Sequence, residues 1–350
     1  MPTDRFSEIR QDCLLATAGQ SGVYSKLGFQ HIAVTGGTGF LGTWIAETVA
    51  ALNDEHRLGI TLDVFARNVN DWAQLYPHLA KRTDIRLKSQ DVRSPFELAR
   101  NTNFVVHAAG IPNNRVHASD PLRVQQTTLL GLNNTLDAAT QLDSLTRFLN
   151  VSSCLVSGTP NRSGALAETD YFPMPCGQLH TVYAEAKRAA ENLAAIYRSQ
   201  FRMPVSTIRP FTFAGPYQAL DRPWALNNFL RDVLTGSDVR IHGDGTARRS
   251  YLYGSDAAWW TLAALVNGVD GATYNIGSPT PVTHLELVEL IGQKVSPRPR
   301  VVLNTVPSRQ GVQDDLFPDT RFTQKSLGVV QTCSLEQTVD KARRWFSALA

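Results

Sequence analysis

His31-Ile32-Ala33-Val34-Thr35-Gly36-Gly37-Thr38-Gly39-Phe40-Leu41-Gly42, running on into Thr43-Trp44-Ile45-Ala46-Glu47-Thr48-Val49, is the stretch whose reading decides the fold. Ile32 to Val34 reads as a short buried strand, and Gly42 onward as a helix. Between them, glycines recur every third residue at 36, 39 and 42. A chain that turns this tightly, and lets a diphosphate approach its backbone, needs residues without a Cβ, and the last glycine lets the helix pack close on the strand. A lone glycine repeat is weak evidence. Placed between an apolar strand and a helix it predicts a dinucleotide site, with Gly36, Thr38, Gly39, Phe40, Leu41 and Gly42 as contacts.

Outward from this turn, strands alternate with helical stretches, which predicts an α/β fold built on a doubly wound parallel sheet. Leu62-Asp63-Val64-Phe65-Ala66 is a second strand ending at Arg67. An acidic residue at that strand end suits the ribose 2′-hydroxyl of NAD, whereas arginine suits the 2′-phosphate of NADP. Asp63 sits inside the strand, so Arg67 favours NADP(H), with NAD(H) as the alternative. Ile85-Arg86-Leu87 leads to Asp91-Val92 as a third strand. Phe104-Val105-Val106-His107 is a fourth and runs into Ala108 and Ala109, small residues where a backbone passes the cofactor. Arg147 to Val151 is a fifth, ending in Ser152-Ser153. Sheets of this kind bind ligands at the carboxyl ends of their strands, which is where Ser153 lies.

The chain has 350 residues, 43% of them hydrophobic and 19% charged, with a formal net charge of +3. That length suits two lobes, residues 31–210 with some later segments forming the dinucleotide-binding domain and 211–350 mainly a substrate lobe. The charge is too small to predict a nucleic-acid or membrane-surface partner. Cys13, Cys154, Cys176 and Cys333 are far apart, which fits free thiols in a reducing compartment. Asp4, Arg5, Glu8 and Arg10 do not fit a signal peptide, and no apolar run is long enough to span a bilayer. A cytoplasmic location is expected. Residues 1–30 read as an extension whose Phe6, Ile9, Cys13 and Leu14 form a short helix over the core.

Chemistry enters at Tyr183-Ala184-Glu185-Ala186-Lys187. Tyr183 and Lys187 are one helical turn apart on a shared face. A nearby ammonium stabilises tyrosinate and lowers the tyrosine pKa, so that the phenol exchanges a proton with a hydroxyl or carbonyl near neutral pH. Chance alone places Tyr and Lys at this spacing on many helices. Downstream of a glycine turn and a strand ending in Ser152-Ser153, the pairing carries weight.

With these residues assembled, the chain resembles an extended short-chain dehydrogenase/reductase of the NAD-dependent epimerase/dehydratase family, which acts on nucleotide sugars. The resemblance covers roughly residues 31–330. It includes Thr35 to Gly42, Asp91, His107-Ala108-Ala109, Ser152-Ser153, Tyr183 with Lys187, Arg209-Pro210 with Gly215-Pro216, Gly243-Asp244-Gly245-Thr246, Arg249 to Tyr253, Asp256 and Tyr274-Asn275-Ile276-Gly277. It implies that Tyr183 is the acid/base at sugar C4, that Lys187 holds the nicotinamide ribose and tunes Tyr183, and that Ser153 binds the same substrate oxygen. It further implies that Asp91, beside Val92, accepts from the adenine amino group and that Arg249 clamps the substrate diphosphate, a task suited to a planar guanidinium. A homodimer through the helices Gln125–Gln141 and Tyr183–Arg198 is also implied.

The departures narrow the reaction. Dehydratases of the family follow the Ser/Thr with an Asp-Glu pair; Cys154 and Leu155 stand there, which disfavours 4,6-dehydration. Cys154 is read first as a small buried thiol and second as a proton donor. The family asparagine three after Arg209 is Thr212, with Asn227 or Asn228 as a compensating contact. Trp224 suits base stacking and core packing equally, and His180 suits a surface loop. Pro216 to Leu234 reads as irregular. No metal-ligand spacing is present. The expected activity is hydride transfer at C4 of a nucleotide sugar, either C4 epimerisation or reduction of a 4-keto-6-deoxy sugar. The alternatives are an NADPH-dependent reductase of a small non-sugar ketone and a non-catalytic dinucleotide sensor.

Overall fold

The computed structural model describes residues 5–160, 162–304 and 314–348. Seven parallel strands form the central sheet: β1 (His31–Thr35), β2 (Thr61–Ala66), β3 (Ile85–Ser89), β4 (Phe104–His107), β5 (Arg147–Val151), β6 (Val205–Pro210) and the later strand Thr273–Ile276. Their spatial order is Thr273–Ile276, β6, β5, β4, β1, β2, β3. The chain therefore builds outward from β1 to β3, returns, and builds outward again from β4. The reversal leaves a crevice at the carboxyl ends of β1 and β4, where Thr35 pairs with His107. β1 and β4 are buried along their whole length, as expected of strands covered on both faces.

The predicted N-terminal helix runs Arg5–Thr17 and buries Ile9 and Cys13 against the helices Phe40–His56 and Gly254–Asn267; Asp4 lies outside the described residues. Trp44, on the helix that opens at the glycine turn, is fully buried and donates to the Pro216 carbonyl at 3.1 Å. It ties the helix after the glycine turn to the chain that follows β6. Beyond β6 the chain carries short strands: Val239–His242 pairs with Val301–Asn304, and Arg248–Arg249 pairs with Val282–Thr283 and Asp315–Leu316. The segment expected to be irregular contains a helix, Ala225–Leu234. Leu226, Phe229 and Leu230 are its buried face, at helical spacing that Pro223-Trp224 interrupts just upstream. Among the described residues no helix is long and apolar enough to cross a membrane, and no group of three His, Cys, Asp or Glu could hold a metal.

Candidate active site

The glycine turn sits at the mouth of the crevice. Gly36 has φ +66, and a Cβ there would lie 2.7 Å from the Ala108 carbonyl oxygen and from the Ala109 Cα. A Cβ on Gly42 would lie 2.4 Å from Gly37 backbone atoms. These two positions let β1, β4 and the helix converge. The helix Phe40–His56 then begins at an extended Gly39 whose end no side chain caps. Its first N–H groups, from Phe40, Leu41 and Gly42, thus face the crevice without an intrahelical acceptor, which is the arrangement that binds a phosphate. A dinucleotide diphosphate fits this cradle. Replacing Gly36 with Ala puts a side chain against backbone in a left-handed conformation, strain of about 1–3 kcal/mol before the clash is counted. The expected result is a lower Tm and at least about a tenfold loss of dinucleotide affinity, read by fluorescence titration.

A single cleft of about 1130 Å³ runs from this cradle to Trp224, Arg249 and His284. Every proposed cofactor residue lines it: Gly36, Thr38, Gly39, Phe40, Leu41, Gly42, Arg67, Asp91, Val92, Ala108 and Ala109. Arg67 follows directly on β2, while Asp63 is buried within that strand, 3.1 Å from His31. Asp91 is already engaged: the Arg93 guanidinium donates to both its oxygens, the shortest contact being 2.6 Å, and holds the carboxyl below its ordinary range. An adenine amino group would share that carboxylate with Arg93.

Ser153, Tyr183 and Lys187 meet in the middle of the cleft. Tyr183 and Lys187 open the buried stripe of the helix Val182–Phe201, which continues through Ala190, Ala194 and Tyr197 at three- and four-residue steps. Ser153 follows β5 in extended conformation, and its Oγ accepts from the Leu155 N–H at 3.2 Å. The electrostatics differ from the sequence expectation. Burial drives the Tyr183 phenol well above its ordinary value, a nearby Cys154 adds to this, and a hydrogen bond with Ser153 opposes it. The Lys187 Nζ donates to the Val151 carbonyl at 2.7 Å and lies 5.9 Å from the Tyr183 ring centre, over its face. Burial brings Lys187 itself down to about 8. The resting site therefore holds a protonated phenol beside a lysine poised to titrate.

The substrate end is partly as expected. Arg249 lines the cleft, but its guanidinium is occupied by the Asp314 carboxylate at 2.9 Å and by the carbonyls of Arg248 and Asp314, both at 2.8 Å. Asn227 does not reach the cleft; it is buried and donates to the Ala219 carbonyl at 3.0 Å, a bond that ties the helix Ala225–Leu234 to its own approach loop. Trp224 is on the cleft wall and half-buried, and His180 is exposed. Cys154 is buried on the wall, its thiol pushed up to about 12 by desolvation, which fits a packed, protonated thiol. Two histidines escaped the sequence reading. His117 stacks on Tyr183 with ring centres 4.4 Å apart and bonds the Ile111 carbonyl at 2.6 Å. A carbonyl only accepts, so Nε2 carries the proton and Nδ1 is left as an acceptor. His284 lines the far end against Phe229. Neither has a local sequence signal; the cleft alone groups them with Tyr183 and Arg249.

Residues 32–277 match the NAD dependent epimerase/dehydratase family. The chain belongs to that family. Relatives include UDP-glucuronic acid decarboxylase 1 of Danio rerio, 25% identical over 91% of this chain and 73% of its own length. Another is UDP-N-acetyl-alpha-D-glucosaminuronate decarboxylase of Bacillus cytotoxicus, 26% identical over 89% of this chain and 96% of its own. In three dimensions, this epimerase/dehydratase-family chain is similar to UDP-glucuronic acid 4-epimerase of Bacillus cereus, solved with UDP-glucuronic acid and NAD. That likeness has a TM-score of 0.79 at 22% identity and covers 92% of this chain and 100% of that one. It supports the fold, and the family match supports a nicotinamide dinucleotide in the glycine cradle.

Proposed function

We propose that this chain is a nucleotide-sugar enzyme that moves a hydride at C4 of the sugar, with Tyr183 as the acid/base. The convergence of Ser153, Tyr183 and Lys187 within one cleft, between a diphosphate cradle and Arg249, carries this reading. When bound, the dinucleotide supplies a hydride acceptor or donor at its nicotinamide. The chain's own residues manage the proton and the orientation. The Tyr183 hydroxyl gives its proton to the C4 oxygen in the reductive direction and takes it in the oxidative one, Ser153 holds that oxygen, and Lys187 supports the charge. A low-dielectric cleft strengthens each of these interactions.

The relatives' names fit one shared first step. Oxidation at C4 prepares inversion at that carbon, and it also makes a C6 carboxylate a β-keto acid that loses carbon dioxide readily. Epimerisation, decarboxylation and reduction of a 4-keto sugar thus need the same Tyr183 chemistry. Dehydration across C5 and C6 needs a further acid and base; the uncharged Cys154 thiol and Leu155 do not supply them. The deciding experiment incubates the protein with each nicotinamide dinucleotide and a panel of nucleotide sugars, including hexuronic acids and 4-keto-6-deoxy sugars. Stoichiometric cofactor consumption identifies a reductase; interconversion of C4 epimers or release of carbon dioxide without net consumption identifies a self-recycling enzyme; silence across the panel overturns the reading.

Arg67, exposed at the end of β2 on the cleft wall, supports NADP(H) within a family described by NAD. A guanidinium on a phosphate is worth roughly 1.5–3 kcal/mol. Arg67→Ala should weaken NADP+ by about tenfold or more and leave NAD+ nearly unchanged; equal effects on both remove the preference. The helices Pro121–Ala139 and Val182–Phe201 pack side by side and leave Leu122, Leu130 and Ile196 exposed, which supports a homodimer built on that pair.

A further inference from the structure

The proton transfer described above leaves His117 idle. This residue stands on the short helix Asn114–Ser119, between β4 and the helix Pro121–Ala139. Its ring lies almost flat on that of Tyr183, with 4.4 Å between centres and 17° between planes. Nε2–H is spent on the Ile111 carbonyl at 2.6 Å, which fixes both the tautomer and the direction of the ring. Nδ1 has no hydrogen-bond partner among the described residues and is not buried, and the residue lines the cleft. The helix is itself anchored. Asn113 accepts from the Arg115 N–H at 3.0 Å, and the Arg115 guanidinium donates to the Asp221 carbonyl at 3.1 Å, in the chain that follows β6. We propose, on the reading of C4 as the reacting carbon, that His117 is a substrate-binding residue: stacked on Tyr183, it offers Nδ1 as the acceptor for the sugar hydroxyl vicinal to C4, the one on C3.

The chemistry of the neighbours points to a hydroxyl as the ligand. An imidazole nitrogen without a proton only accepts. Burial lowers His117, so the ring is neutral near pH 7 and that lone pair is available. The groups beside it are donors: the Tyr183 hydroxyl keeps its proton, and the Lys187 Nζ only gives. A sugar with its C4 oxygen at Tyr183 brings further hydroxyls, whose protons need acceptors once water is displaced. Of the two carbons beside C4 in a pyranose, C5 carries the ring oxygen and C6, and C3 alone carries a hydroxyl. Vicinal oxygens lie side by side, as do the two stacked rings. Tyr183 addresses one oxygen and His117 the other. An ionised carboxylate could not replace that hydroxyl, because it has no proton to give.

The test loads the protein with reduced nicotinamide dinucleotide, so that a sugar already bearing a C4 hydroxyl binds without turnover. Calorimetry then gives Kd for UDP-glucose, UDP-glucuronic acid and the 3-deoxy analogue of each. The wild type should hold the parent sugar about tenfold more tightly than its 3-deoxy analogue, the cost of leaving an acceptor unpaired. His117→Phe keeps the stack and deletes the acceptor, so its two Kd values should agree within about twofold, through weaker binding of the parent alone. His117→Gln loses the ring but keeps an acceptor, and should retain part of the preference. Tm and dinucleotide Kd should stay at wild-type values in both variants. A histidine that only packs against Tyr183 gives a different result: the ratio of parent to analogue is the same in all three proteins, which overturns the proposal. Equal Kd values for parent and analogue in the wild type overturn it without any variant. Failure of the wild type to bind either parent sugar overturns the nucleotide-sugar reading, and the role of His117 with it.

Discussion

Tyr183→Phe should fold, bind nicotinamide dinucleotide as tightly as the wild type, and lose about a thousandfold in kcat. The magnitude follows from what the change removes. General acid–base catalysis by a positioned side chain contributes about 10² to 10⁴ in rate, and Phe keeps the ring while deleting the one hydroxyl to which the proposal gives the proton transfer. The ring itself is well supported: it is buried, stacked on His117 and seated at the head of the helix stripe. Loss of a hydroxyl there leaves Ser153 without one hydrogen bond, a cost of about 1 kcal/mol that a 350-residue chain tolerates. The check is a pair of measurements, dinucleotide Kd by fluorescence and kcat on whichever sugar the panel identifies. A variant retaining a tenth of the wild-type kcat would remove Tyr183 from the proton transfer.

The direction of the Tyr183 shift bears on that experiment. Burial holds the Tyr183 phenol protonated, the form that gives a proton when a ketone is reduced. Deprotonation for the oxidative direction requires added positive charge near the phenol, and the Lys187 Nζ, which donates to the Val151 carbonyl, lies over the Tyr183 ring. Tyrosine and lysine one turn apart look, in one dimension, like a tuned pair. In three dimensions the lysine has a competing acceptor at the end of β5.

How far the sequence could be read follows the same division between local and distant contacts. The glycine turn, the strands and the helix carrying Tyr183 were legible because each depends on residues close in sequence: a missing Cβ, an apolar run, a helical repeat. The fold class and family follow from these. Asn227 is offered by the sequence only as a replacement for the family asparagine at Thr212, and only the fold shows its amide donating to the Ala219 carbonyl. His117 was silent because its significance is a ring stack on a residue 66 positions away. The Arg249 pair with Asp314 spans 65 positions and was invisible for the same reason. The helix at Ala225–Leu234 was hidden by the proline and tryptophan before it.

Arg249→Ala is the second large effect, and it separates the functional readings. Arg249 is held by Asp314, a residue whose side chain is 72% exposed. Such a pair is worth about 0–1 kcal/mol, because water screens it and ordering the side chains costs entropy. A substrate diphosphate brings two negative charges and several acceptor oxygens to the same planar fork, worth roughly 2–3 kcal/mol within a cleft. On the proposed reading the diphosphate would displace Asp314, and the ion pair would hold the guanidinium in place at little cost. Removing Arg249 should raise KM for a nucleotide sugar by about 30- to 100-fold, with a much smaller change in kcat, since the diphosphate is remote from C4 and binds alike in ground and transition states. Asp314→Ala should have the opposite and weaker effect, a KM lowered by no more than a few-fold. A reductase of a small ketone would respond differently: its substrate has no diphosphate, and Arg249→Ala would leave its KM unchanged. A dinucleotide sensor would show no turnover in either protein. The pair of substitutions thus reads substrate class from the sign and size of two KM changes, independently of which sugar is turned over.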